Sequence, residues 1–178
     1  MTADLFLRVD GISTEQEAID AAVNSALQHN KVYETEDESV RAAFREEWKR
    51  LMKNESKPYR SLSFVTTDEQ HCDVIERIAA MLTSDFGPHL AGGRVRFGTS
   101  QKAFNLYLKY LWKLKAAATP PHCPIDSVVL AKVGIDGLWT KCDSRDHYLQ
   151  WIAAIRERLT IAEWENEAWL RWRLADLN

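Results

Sequence analysis

The sequence has few cysteines and no long apolar run. Only three cysteines occur among 178 residues, Cys72, Cys123 and Cys142; this odd number at wide spacing is not a disulfide framework. No apolar stretch approaches the roughly 18 residues that a membrane-spanning helix needs. The first nine residues lack the basic start and apolar core of a signal peptide. We therefore expect a cytoplasmic protein with reduced thiols and no membrane partner.

Internal repeats and long Pro/Gly/Ser-rich linkers are also absent, so residues 1–178 are expected to form one helical domain. Helix start signals recur along the chain. Capping boxes begin at Thr14, Thr35 and Thr160, and each precedes apolar residues at helical spacing. The predicted fold class is all-α, a compact multi-helix bundle around a buried central helix over residues 99–118, with at most a minor N-terminal β-hairpin.

The remaining elements follow from apolar spacing and from proline. The alternating Leu5, Leu7 and Val9 favour a short strand or extended arm over residues 1–11, which could pair with residues 61–66. Four more helices are predicted, starting at Thr67, near Asp126, at Asp143–Asp146 and at Thr160. The last of these carries three tryptophans, which fit either core packing or a partner interface.

Acidic residues are missing from one long segment. The net charge is −3, yet residues 86–125 contain no Asp or Glu and six basic residues, which leaves 17 basic and 26 acidic residues elsewhere. The six are Arg94, Arg96, Lys102, Lys109, Lys113 and Lys115. Such segregation of charge indicates an anionic partner more strongly than the total charge does.

The central helix carries a polar stripe within this segment. Four residues stand at positions i, i+3, i+7 and i+11, namely Lys102, Asn105, Lys109 and Lys113. This spacing puts them on one face. One interpretation is a solvated edge whose lysines pair with acids elsewhere in the chain. The other is a surface for a phosphate backbone, joined by Arg94 and Arg96 at the approach to the helix.

Two short motifs resemble the helix-hairpin-helix DNA glycosylases. Residues 98–105 (GTSQKAFN) are similar to the hairpin and following helix of that family, and residues 124–130 (PIDSVVL) to its second motif. The resemblance implies a base-excising enzyme. It implies that Lys102 holds the position of the Schiff-base lysine of bifunctional members, and that Asp126 holds the position of the carboxylate that assists departure of the base.

The chemistry expected of these residues is coherent. A carboxylate at a helix N-terminus stays ionised and could stabilise the cationic sugar left when a base departs. A desolvated lysine beside other cations is a nucleophile, and backbone amides at the Gly98 turn could hold phosphate. The alternative is purely structural: Asp126 is a common kind of N-cap, and Lys102 is one more surface lysine.

No cofactor is expected, because a Walker loop, a dinucleotide glycine fingerprint and a His-Glu-x-x-His motif are all absent. His122-Cys123 and Cys142 with His147 offer two ligand pairs for zinc, but buried free cysteines are as common, and no metal is assigned. The resulting hypothesis is a nucleic-acid-binding helical protein, DNA before RNA, that could be a diverged glycosylase. The rival is a non-catalytic interaction protein, such as a defence accessory, a toxin antagonist or a phage-encoded inhibitor, which binds an acidic protein through residues 94–115.

Overall fold

The computed structural model describes residues 2–157, and α-helices dominate them. The helices are α1 (Thr2–Asp10), α2 (Glu15–Leu27), α3 (Glu38–Glu55), α4 (Asp68–Phe86), α5 (Phe97–Lys113), α6 (Ser127–Lys132) and α7 (Arg145–Arg156). Between residues 2 and 157 the extended pairing amounts to one isolated bridge, Tyr33 with Leu90. The all-α prediction is confirmed. The helix predicted from Thr160 lies outside the described residues.

Side-chain caps start most of these helices. Thr14 forms the predicted capping box at α2, and Asp126 caps α6. The helices predicted to start at Thr67 and at Asp143–Asp146 are capped by a second complete box at Thr67 and by Ser144. The box predicted at Thr35 is wrong. The N-cap of α3 is Asp37, whose carboxylate accepts from the amides two and three residues further on; Asp is a stronger cap than Thr.

The prediction of a strand or arm over residues 1–11 is also wrong, because α1 is a helix. Alternation over a few residues does not distinguish a strand from a short helix that is buried on one side. Phe6 shows which side of α1 is buried: its side chain is buried, and its ring centroid lies 5.6 Å from that of Tyr110 on α5. Residues 61–66 form no strand either, and Leu62 is 88% exposed.

The central helix α5 packs against α1, α2 and α4. Every residue of α5 except Trp112 is buried, as its apolar composition on all sides predicts. It ends at Lys113, five residues before the predicted end, and Lys115 then adopts a left-handed φ of 62° that stops the helix. Among residues 2–157, the structure holds no helix with the length and apolarity to cross a membrane.

Candidate active site

Lys102 and Asp126 form an ion pair that joins α5 to the start of α6. The Lys102 Nζ lies 2.5 Å from Asp126 Oδ2, although 24 residues separate the two in sequence. The other carboxylate oxygen, Oδ1, accepts from the Val129 amide at 3.0 Å and so caps α6. Asp126 is therefore the N-cap that the sequence offered as its structural role, and its carboxylate also contacts Lys102. The two side chains are 8% and 17% exposed.

The environment keeps the Asp126 carboxyl ionised. Burial on its own would raise the pKa, but the Lys102 ammonium and the Val129 amide outweigh it, so the pKa lies below its ordinary value. A carboxylate that is largely withdrawn from water and paired on only part of its surface interacts strongly with a nearby developing positive charge. This is the property that stabilisation of a cationic sugar requires.

The pair lines a cavity of about 460 Å³, a volume in the range of small-molecule sites. The wall combines the ion pair with further polar groups and aromatic rings, which come from five parts of the chain. Those residues are Phe6, Asp10, Ser25, Gln28, His29, Lys109, Tyr110, Ser127 and Trp139. Gln28, His29 and Ser127 are exposed, which places the mouth between the end of α2 and the start of α6.

A second lysine and a second carboxylate lie deeper in the cavity wall. Lys109 is 1% exposed, and its Nζ stands 4.1 Å from the centroid of the Phe6 ring. Burial, reinforced by the charge of Lys102, lowers the pKa of Lys109 well below its ordinary value. The Tyr110 hydroxyl donates to Asp10 Oδ2 at 2.8 Å; burial raises the pKa of this tyrosine.

Behind the ion pair, Asn105 is the centre of a buried hydrogen-bond network. Its Oδ1 accepts from His71 Nε2 at 2.8 Å, and its Nδ2 donates to the Tyr148 hydroxyl at 2.9 Å. The Tyr59 hydroxyl donates to His71 Nδ1 at 2.7 Å. On the other side the Tyr148 hydroxyl donates to His122 Nδ1 at 2.9 Å. These roles are those of two neutral imidazoles that carry their proton on Nε2.

The two histidines are held neutral by burial. Desolvation by burial is the largest cause: it lowers the pKa of His71 to about 3, and it lowers that of His122 to about 4 although Asp68 opposes the shift. His122 Nε2 donates at 3.0 Å to Asp68, which also pairs with Arg156. The network thus runs from a partly exposed carboxylate on α4 to the middle of α5.

The solvent-facing stripe predicted on the central helix is wrong. All four of its residues are buried: Lys102, Asn105, Lys109 and Lys113 are 6%, 0%, 1% and 9% exposed. Helical spacing correctly placed them on related faces, but other elements pack around α5, so this face is not part of the outer surface. Lys113 lies over the ring of Trp112 with its Nζ 3.7 Å from the centroid. A phosphate backbone therefore cannot lie along this face of α5; of the four residues, Lys102 and Lys109 line the cavity.

The residues predicted to approach a phosphate have intramolecular partners instead. Arg94 donates to Asp143 at 2.5 Å, and Arg96 donates to the Thr140 carbonyl at 3.3 Å. The Gly98 amide donates to the Cys142 carbonyl at 2.8 Å, so it is not available to an anion. The expected phosphate turn at Gly98 is therefore wrong, because Gly98 is a point of close packing of backbone on backbone.

The cysteines are three free, buried thiols. Burial raises the pKa of Cys123 to about 12 and also raises that of Cys142, which makes both poor nucleophiles. Within residues 2–157 no three His, Cys, Asp or Glu side chains are grouped as metal ligands. His147, on the exposed side of α7, packs against Trp151.

Sequence reasoning missed Gln101, His71 and Asp68, whose side chains organise the surroundings of the ion pair. The only signal for Gln101 was a polar residue on a helix otherwise predicted to be buried, which obliges it to find partners. Comparisons with protein-family models, curated proteins and solved structures found no match to this chain.

Proposed function

We propose that this protein cleaves the N-glycosidic bond of a base in nucleic acid. In this proposal the base enters the cavity, and Asp126 stabilises the positive charge that develops on the sugar as the C1′–N bond breaks. The base leaves with the electron pair of that bond and takes up a proton, and water or the Lys102 amine bonds to C1′ in its place. The supporting observation is the Lys102–Asp126 pair, two residues 24 positions apart that meet at 2.5 Å in the wall of one cavity. The same two residues carry the resemblance to helix-hairpin-helix glycosylases.

The cavity offers suitable surfaces for a base. A single base is smaller than its volume of about 460 Å³, and the rings of Phe6, Tyr110 and Trp139 give apolar faces on which a base can pack. Entry from a duplex requires that the nucleotide be turned out of the stack, which costs a few kcal/mol and favours damaged or mismatched bases. We therefore expect a damaged or deaminated base as the substrate.

The test is base release by the wild-type protein and by Asp126→Asn. Duplex and single-stranded oligonucleotides carrying uracil, hypoxanthine or 3-methyladenine are incubated with excess protein, and abasic sites are cleaved with alkali and counted. We expect release from at least one of them, and loss of that release in Asp126→Asn, because the neutral amide cannot stabilise a cationic sugar. Asp37→Asn is the matched control: Asp37 also caps a helix with its carboxylate, but it lies on α3 and not in the cavity wall.

Folding has to be measured beside activity. Asp126→Asn keeps the cap but leaves the Lys102 ammonium, 8% exposed, without its carboxylate, and breaking a buried pair costs about 3–5 kcal/mol. The double variant Lys102→Gln with Asp126→Asn removes both charges and should recover much of that stability. A folded double variant that still releases base would refute the role of Asp126.

The resemblance also implies an amine role for Lys102, and borohydride tests it separately. Reduction would convert an imine between Lys102 and the abasic sugar into a stable cross-link that mass spectrometry can locate. A wild-type protein that releases no base from any oligonucleotide overturns the proposal. The rival, an interaction protein with an acidic partner, was predicted from the same basic residues of α5, which are buried.

A further inference from the structure

Gln101 binds the backbone of Ile125 at two points. Its Oε1 accepts from the Ile125 amide at 3.1 Å, and its Nε2 donates to the Ile125 carbonyl at 2.7 Å. The Gln101 side chain has no exposed surface. The amide group thus pairs with one residue of the loop before α6 in the way that a neighbouring strand would, with one donor and one acceptor.

Asn105, one turn further along α5, completes the contact. Its Nδ2 lies 3.2 Å from Gln101 Oε1 and 3.2 Å from the Cys123 carbonyl oxygen. Its own orientation is set by His71 and Tyr148, which bind its Oδ1 and Nδ2. The loop from 123 to 125 is therefore held at three backbone atoms by two buried side chains of α5.

These contacts lie directly beside the ion pair. Gln101 precedes Lys102 on α5, and Ile125 precedes Asp126 at the N-cap of α6. We propose that Gln101 is a positioning residue, which sets the place of the Asp126 carboxylate relative to Lys102 and the cavity. The inference rests on the proposed function for its effect on rate, but its effect on the carboxylate is measurable without any reaction.

The alternative is that Gln101 merely satisfies buried polar atoms. Both roles predict some loss of stability when Gln101 is changed, because the Ile125 amide and carbonyl lose their partners. Only positioning predicts that the carboxylate moves away from Lys102. A longer contact with the ammonium stabilises the ionised form less, so the pKa of Asp126 should rise in Gln101→Met.

Ser100 provides the matched control. It is equally buried on α5, and its hydroxyl donates to the Ile75 carbonyl on α4 at 2.8 Å, on a side of the helix that does not hold the loop. Ser100→Ala removes one buried hydrogen bond while leaving both contacts to Ile125 in place. We expect it to lower the melting temperature and to leave the pKa of Asp126 unchanged.

The experiment follows the carboxyl carbon of Asp126 by NMR during a pH titration of the wild type, Gln101→Met and Ser100→Ala. Where base release is present, single-turnover rates are measured in parallel. A displacement of about 1 Å can cost about 100-fold in rate, so we expect a 10- to 100-fold lower rate in Gln101→Met with unchanged substrate affinity. A folded Gln101→Met with the wild-type pKa of Asp126 overturns the inference. A raised pKa without base release by the wild type supports positioning and counts against the proposed function alone.

Gln101→Glu decides the matter if Gln101→Met does not fold. Below the pKa of the new carboxyl, its protonated form can still accept from the Ile125 amide and donate to the carbonyl; above that pKa it cannot donate. We expect the NMR signal of Asp126, and any base release, to be near wild type at low pH and to diverge as the pH rises. A wild-type profile at every pH contradicts the inference.

Discussion

Mild acid should destabilise this protein because His71 and His122 are buried as neutral imidazoles. Their pKa values, about 3 and about 4, lie below the 6.5 expected of an unfolded chain. The unfolded state therefore binds more protons than the folded state between pH 6.5 and those values. The stability that both residues contribute is complete above pH 6.5 and is lost as the pH falls toward 4 and 3.

The size of the effect follows from the pKa difference. A pH of 5 lies about 1.5 units below the pKa of a histidine in the unfolded chain. Each buried histidine therefore lowers the free energy of unfolding at pH 5 by about 2 kcal/mol, and the two together lower it by about 4 kcal/mol. The ring centroids lie 4.6 Å apart, so protonating one imidazole disfavours protonating the other. The carboxylate of Asp68 opposes the shift of His122, while Arg156 adds to it; both influences are included in its value of about 4. A loss of about 4 kcal/mol is a large part of a typical domain's stability.

The assay is urea unfolding, followed by tryptophan fluorescence, between pH 7.5 and pH 5. This range lies above the pH at which most carboxylates take up protons. We expect the free energy of unfolding to fall by about 4 kcal/mol in the wild type and by about half as much in His71→Gln, which has one fewer titrating ring. A wild-type loss below about 1 kcal/mol, or an equal loss in His71→Gln, would refute the assignment of neutral buried imidazoles.

Three further outcomes are expected. A Cβ at Gly98 would lie 1.8 Å from the Trp139 carbonyl oxygen. Gly98→Ala should therefore lower the free energy of unfolding by about 3 kcal/mol or more, and a thermal scan would show this as a sharply lower melting temperature. Reversal of Lys109 and Lys113 together to Glu should unfold the protein, seen by circular dichroism, rather than selectively remove nucleic-acid binding from a folded chain. The three buried thiols should react with Ellman's reagent only at the rate of unfolding; fast reaction in the native state would contradict their burial.

The sequence predicted best those features that depend on a few neighbouring residues. The starts of α2, α4 and α7 could be predicted from the sequence because a helix cap is a local interaction, in which one side chain accepts a hydrogen bond from an amide two or three residues away. The resemblance of two short motifs selected Lys102 and Asp126 from the sequence, and these two residues are in contact in the fold. Neither depends on knowing how the remaining helices pack.

Features that depend on packing could not be read in this way. Spacing shows that the polar residues of α5 share a face, but not whether that face meets water or other helices. Asn105 is hydrogen-bonded to His71 and Tyr148, which are 34 and 43 positions away from it in the sequence. No local sequence pattern predicts such contacts. Polar residues on a helix predicted to be buried were the available signal, and they indicated satisfied partners rather than a ligand surface.

The acid-free segment shows how charge in sequence differs from charge in space. Between 86 and 125 no Asp or Glu occurs, yet Lys102 meets Asp126 and Arg94 meets Asp143. Both acidic residues come after the end of the segment, so the fold brings together opposite charges that are separated in the sequence. This arrangement suits a helix as deeply buried as α5. Acidic residues on the helix itself would repel the carboxylates that pair with its basic residues. The fold thus pairs cations of this segment with acids from outside it, and under the proposed function base release should depend on one of those acids, Asp126.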